Sequence, residues 1–152
     1  MALKPRKAIS TRAAATAYWT RHVRVAIISE ISNLADTVPT IIYKICEAAL
    51  WRHAERAGEF RGAPVDMRDG FIHFSAANQV RATAAKHFAG VDDLVLIAID
   101  ADALGDALKW ELSRDGDLFP HLYGELPLAA VLWTRPLPLG IDRLHVFPEL
   151  TP

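Results

Sequence analysis

One cysteine, Cys46, stands in a chain of 152 residues, which excludes an internal disulfide framework and any multi-cysteine zinc site. A reducing compartment, the cytoplasm, is the natural expectation. Long apolar runs are missing as well. The uncharged stretches, such as residues 126–134, fall far short of the roughly 20 apolar residues that a membrane-spanning helix needs, so no membrane association is expected. Nor is there an excess of one charge: 17 Lys and Arg face 18 Asp and Glu, a net charge of -1. No overall field therefore favours nucleic acid or an anionic surface. Gly-x-Gly-x-x-Gly, the P-loop, Gly-x-Ser-x-Gly and His-Glu-x-x-His are all absent, which removes the usual marks of dinucleotide-binding βαβ units, P-loop enzymes, α/β-hydrolases and zinc proteases.

What is present is an apolar share of 51% with 23% charged residues, the balance of one folded domain. Charge is unevenly spread along it. Residues 1–38 carry six Lys or Arg and two acids, a balance of +4, against -5 for the remainder. No acid precedes Glu30, and Ser and Thr are interspersed. This segment is expected to be an extension outside the core, with an organellar transit peptide as the alternative. The working domain is then 39–152.

Residues 40–46, rich in β-branched and aromatic side chains after a proline, predict an opening strand. Residues 47–57 shift to a helical period with Leu50, Trp51, Ala54 and Ala57 on one face, and Gly58 is the stop. Residues 59–70 carry two glycines, a proline and several charges without a period, which predicts a loop or lid. Residues 71–74 predict a short strand, and Ser75 is expected to cap a helix whose buried stripe is Val80, Ala84 and Phe88. The nearly all-apolar stretch 93–100 predicts a central strand covered on both faces. Further strands are expected at 108–112 and 128–134, with an Asp115-Gly116 turn, a brief extended piece at 122–123 and an edge strand near 144–147. Two early helices followed mainly by strands predict an α+β fold with mixed or antiparallel sheets.

Polar side chains set among apolar ones need partners, so they mark where chemistry can sit. His73 alternates with Phe74 on a short strand and so faces the other way. Its imidazole can orient a ligand or exchange a proton near neutral pH, or be a satisfied core histidine. Glu111 lies between Trp110 and Leu112 and points away from both; it is either a solvated carboxylate or one that bonds a ribose hydroxyl or steadies a developing cation. His121 and Tyr123 share parity in an extended segment, next to Gly124. Of Tyr43 and Lys44, one must point inward, and a lysine is more often exposed. Ser75, at a helix start, can cap the helix or leave its N–H groups to a phosphate. His53, His87 and His145 read as solvated. With no close-spaced ligand pair for His73 and His121, no metal is expected.

These pieces, in order, resemble the DUF952 family: Ile42-Tyr43-Lys44-Ile45, Trp51, Asp69-Gly70-Phe71-Ile72-His73-Phe74-Ser75, Gln79-Val80, Asp93-Leu94-Val95-Leu96, Ile99-Asp100, Trp110-Glu111 and Phe119-Pro120-His121-Leu122-Tyr123-Gly124. The resemblance spans roughly residues 40–137. It implies the fold of ADP-ribosyltransferases and RNA 2'-phosphotransferases, a split β-sheet core with a cleft for NAD or an ADP-ribosylated species. It further implies His73, Glu111 and His121 as catalytic residues, and Tyr43, Lys44, Ser75, Trp110 and Tyr123 as ligand-binding ones. Many relatives have Tyr-His where this chain has Tyr43-Lys44. In the related transferases that first-strand position orients the nicotinamide ribose.

Three functions follow as expectations. The first is a transferase acting on NAD or a phosphoribose compound. The second is a non-catalytic module that binds a nucleotide or small metabolite. The third is a protein-interaction domain presenting its aromatic residues to a partner.

Overall fold

The computed structural model describes residues 39–113 and 116–151. The basic segment 1–38, with its reading as an extension or transit peptide, lies outside the described residues. So do Arg114 and Asp115 of the expected turn.

β1 (Ile41–Glu47) runs into α1 (Ala48–Ala57), which buries Ala48, Trp51 and Ala54. Gly58 ends the helix at φ 85, its N–H bonded to the Ala54 carbonyl; only a residue without Cβ takes that left-handed turn cheaply. β2 (Glu59–Phe60), α2 (Pro64–Asp69), β3 (Ile72–His73), β4 (Ser75–Ala76) and α3 (Val80–His87) follow. β5 (Leu94–Asp100) leads through a 3-10 segment (Asp102–Ala107) to β6 (Leu108–Leu112), β7 (Leu118–Leu122), β8 (Leu126–Pro127), a second 3-10 turn (Leu128–Ala130) and β9 (Val131–Leu137).

The strands form a four-stranded sheet in the order β4-β1-β5-β9, a three-stranded sheet in the order β3-β7-β6, and a β2-β8 pair. Every pairing among them is antiparallel. The fold is thus α+β. β5 lies between β1 and β9, with Leu96, Ile97, Ala98 and Ile99 fully buried, as its unbroken apolar run predicts.

Alternation along β1 divides the interior into two clusters. Ile42 and Cys46 join Trp51, Phe60 and Ile72 on one side of the sheet, whereas Tyr43 and Ile45 join Val80, Ala84 and Leu137 on the other. Trp51 and Phe60 meet at 5.7 Å, an aromatic contact that contributes about 0.5–1.5 kcal/mol beyond burial. The two main sheets share one short crossing. Phe74, between β3 and β4, donates its N–H to the Pro120 carbonyl of β7 at 2.9 Å while β4 pairs with β1.

Four expectations are corrected. Residues 59–70 are not a loop: they hold β2 and the six-residue α2, too short to show a period, with Pro64 in its first turn and the Asp66 carboxylate accepting the Ala63 N–H at 2.7 Å. Ser75 caps no helix. It lies in β4 opposite Tyr43, and α3 starts at Val80 after Gln79, whose side chain accepts the Ala76 N–H instead. Residues 118–122 form the middle strand of the three-stranded sheet despite Pro120. Near 144–147 there is only a single bridge, Leu139 to His145.

Candidate functional site

The three-stranded sheet aligns the first pair of candidate residues. β3 and β7 place His73 directly across from His121, and their rings meet edge-on at 5.4 Å. β6 lies on the far side of β7, and its Glu111 accepts from Nδ1 of His121 at 2.8 Å and from the Tyr123 hydroxyl at 2.9 Å. Phe71 packs among these rings, stacked on His121 at 4.3 Å and tilted against His73 at 4.7 Å and Tyr123 at 5.3 Å. His73, Glu111, His121 and Tyr123 therefore converge, although up to 50 positions separate them.

A second carboxylate serves the other histidine. Asp66, 1% exposed, accepts from Nδ1 of His73 at 2.7 Å and from the His73 backbone N–H at 3.0 Å. Lys44, at 4% exposure, donates to both oxygens of Asp66 at 2.9 and 2.7 Å. The expectation that one of Tyr43 and Lys44 points outward is corrected: the two lie on opposite faces of β1 and both are buried, Tyr43 in the second apolar cluster and Lys44 against Asp66, contrary to the usual exposure of lysine. Nε2 of His73 lies 3.3 Å from Asp69 Oδ2.

Electrostatics follow from these contacts. Burial by itself raises the Asp66 pKa, but the hydrogen bond from His73 and the charge and hydrogen bonds of Lys44 outweigh it and hold the carboxyl at about 2. Burial draws the Lys44 pKa down, against the opposing pull of Asp66. Hydrogen bonds from His121 and then Tyr123 lower the Glu111 pKa, and the same bond raises that of Tyr123. At His121 a carboxylate on Nδ1 fixes the ring and, in the neutral imidazole, leaves the lone pair on Nε2, whereas both ring nitrogens of His73 face carboxylates, Asp66 and Asp69. The assembly thus offers two oriented imidazoles, each backed by a carboxylate, with an aromatic surface beside them.

Other candidates lie elsewhere. The Tyr43 hydroxyl donates to the Thr151 carbonyl at 2.8 Å and accepts the Thr151 N–H at 3.0 Å, on the sheet face opposite Lys44. Ser75 is 3% exposed and bonds the Thr83 hydroxyl at 2.9 Å, so its oxygen is committed to α3. Trp110 projects from the other face of β6 and lines a hollow of about 280 Å³ with Thr40, Asp102, Gly105 and Leu108. A second recess of about 320 Å³ adjoins the histidines: Asp66 and Phe71 belong to its walls, together with Arg61, Met67, Gly70 and Glu125. Arg61 there is bound to Glu59 at 2.6 Å and Glu125 at 3.2 Å. His53 and His87 are exposed, as expected, whereas His145 is half-buried and bonds the Val91 carbonyl. Among the described residues no group of three His, Cys, Asp or Glu is arranged for a metal, and no helix is long and apolar enough to cross a membrane.

Sequence reasoning missed Asp66, Asp69 and Phe71. A signal for Asp66 was present: a lysine inside an apolar strand needs a counter-charge, and Pro64-Val65-Asp66 has the form of a helix start, with proline first and an acid in the opening turn.

Residues 45–134 match the family model "Protein of unknown function (DUF952)". The crystal structure of protein CC0527 from Caulobacter crescentus is 48% identical, superimposes with a TM-score of 0.68, and is aligned over 70% of this chain and 94% of that one. The solution structure of CC0527 gives 48% identity and a TM-score of 0.63 over 69% and 90% of the two chains. No protein among the curated ones matches. With more than half its length matched by the family model and nearly all of CC0527 aligned to it, this chain belongs to the DUF952 family.

Proposed function

We propose that the histidine network binds the ribose of NAD or of a related ADP-ribose or phosphoribose compound and serves an ADP-ribosyl- or phosphotransferase-like reaction. The observation that carries this reading is the edge-on meeting of His73 and His121, each held by its own carboxylate, beside the ring of Phe71. Nε2 of His121 and the Asp69 carboxylate beside His73 suit a vicinal diol, whose hydroxyls both donate and accept. Tyr123 and Phe71, their rings tilted 45° to one another, supply aromatic faces for a base or pyridine ring. Glu111, half-exposed and anionic, suits a sugar carbon that turns cationic as its glycosidic bond breaks. In such a transfer the C1'–N bond breaks and nicotinamide leaves with the bonding electrons. The acceptor hydroxyl then forms the new bond to C1' and gives up its proton to Nε2 of His121.

Charge refines the ligand. Asp66, Asp69, Glu111, Glu59 and Glu125 surround the network and recess, while Lys44 and Arg61 already hold carboxylates and Lys109, in register with His121, is left to offset them. The nucleoside part is therefore favoured over the phosphates. The ADP-ribosylation-like character of the fold rests on the same reading, supported by the antiparallel sheet split in two and crossed at Phe74.

Calorimetric titration with NAD, ADP-ribose and a 2'-phosphorylated oligonucleotide tests this. Binding of at least one, lost in His121→Ala, is the expected result; no heat from any of them refutes it. A non-catalytic binding module is the second reading, favoured by the saturation of Asp66 with internal hydrogen bonds. Binding without product after prolonged incubation would select it.

A further inference from the structure

β6 reads Leu108-Lys109-Trp110-Glu111-Leu112 and is an edge strand of its sheet, with no described strand beyond it. Among the described residues no strand pairs with its outward backbone. Pro120 points its carbonyl toward Phe74, away from β6, so Trp110, opposite Pro120, directs its own N–H and C=O to the free edge. By the same alternation Leu112 faces outward, as does the Leu108 carbonyl, whereas the Leu108 N–H is taken by the Gly105 carbonyl. Natural edges carry guards against pairing, and lysine and proline are the commonest. β9 has Arg135 and Pro136. β6 has Lys109, but Glu111 two residues on cancels it as a guard, because the strand is its own complement.

We infer that β6 pairs antiparallel with β6 of a second copy of this chain, centred on Trp110. That register sets Lys109 opposite Glu111 of the other copy, Glu111 opposite its Lys109, and leucine opposite leucine at both ends. Antiparallel pairing across a two-fold axis requires this self-complementarity. Four backbone hydrogen bonds close the seam: two exchanged between the Trp110 residues and two from Leu112 N–H to the Leu108 carbonyl across the axis. Trp110 at 42% exposure, Leu112 at 74% and Leu118, opposite Leu112, at 50% lie on one face and become a continuous apolar strip. Lys109 and Glu111 lie on the other face with His121, where opposite charges directly across a ladder attract and like charges repel.

The pairing also bears on the histidine site, a consequence that rests on the proposed function. Each Glu111 then meets an ammonium from the other copy in addition to Lys109 of its own chain, which lies in register with His121, so a ligand phosphate near His121 faces two ammonium groups in place of one.

Sedimentation velocity of the full chain from low micromolar to near-millimolar concentration, which reads mass irrespective of any ligand, decides the matter. Wild type is expected to pass from one-chain to two-chain mass, and Lys109→Glu to weaken association about tenfold or more by opposing glutamate to glutamate. Glu111→Lys alone is expected to do the same, while an equimolar mixture of the two variants, each shown folded by circular dichroism, regains the dimer through complementary strands. A wild type that stays monomeric throughout, or a dimer that Lys109→Glu leaves intact, overturns the inference. Calorimetry with ADP-ribose on the wild-type chain, below and above the concentration at which it associates, separates this outcome from failure of the ribose site itself.

Discussion

Lys44 and Asp66, 22 positions apart in the chain, meet at 2.7 Å with both side chains out of water. Removing one partner of such a pair leaves the other as an unpaired interior charge, which typically costs about 3–5 kcal/mol. Lys44→Ala and Asp66→Ala should each lower stability to that degree in urea denaturation. Lys44→Met with Asp66→Leu should lose less than the two single changes together, because no orphaned charge remains.

Acid should reveal the same carboxylate. The Asp66 pKa drops from the ordinary 3.8 to about 2 on folding. The unfolded chain therefore binds this proton more readily, so the stabilisation is present above pH 3.8 and disappears as pH falls through about 2. Stability measured against pH should fall across that window. In Asp66→Asn the fall should be shallower, although the plateau is lower.

Tyr123 offers an optical readout of the Glu111 network. The hydrogen bond to Glu111 raises its pKa, so Glu111→Gln should shift one phenolate transition to lower pH in an alkaline absorbance titration. Tyr123→Phe identifies that transition by removing it. An unshifted curve would show that the Tyr123–Glu111 contact does not persist in solution.

Ser75 and Thr83 share a hydrogen bond at 2.9 Å in place of the expected helix cap. A double-mutant cycle with Ser75→Ala and Thr83→Ala should give a coupling of about 0.5–1.5 kcal/mol. A cap acting on backbone N–H groups would give none.

Cys46 is buried, and that burial pushes its thiol pKa up to about 12. Only the thiolate attacks disulfide reagents, so the native chain should react slowly with an aromatic disulfide and completely once unfolded. Rapid reaction under native conditions would place the cysteine at the surface.

The chain's own periodicities determined the interior. The unbroken apolar run of β5, the alternation in β1 and the amphipathic pattern of α1 are local properties, since each burial pattern repeats with the geometry of its element. His73, Glu111, His121 and Tyr123 were legible as polar residues in need of partners, but a strand's parity states only which side chains share a face. The β3-β7-β6 register decided that the two histidines meet and that Glu111 serves His121 rather than solvent. Alternation had already put Trp110 on the face away from Glu111, while β1 and β4 turned Tyr43 and Ser75 to the other side of the core. Asp66 escaped notice because six helical residues are too few to display a period. Its partner Lys44 is buried by contacts with segments distant in the chain, and burial of a charge is settled by what packs over it, which tertiary structure alone supplies.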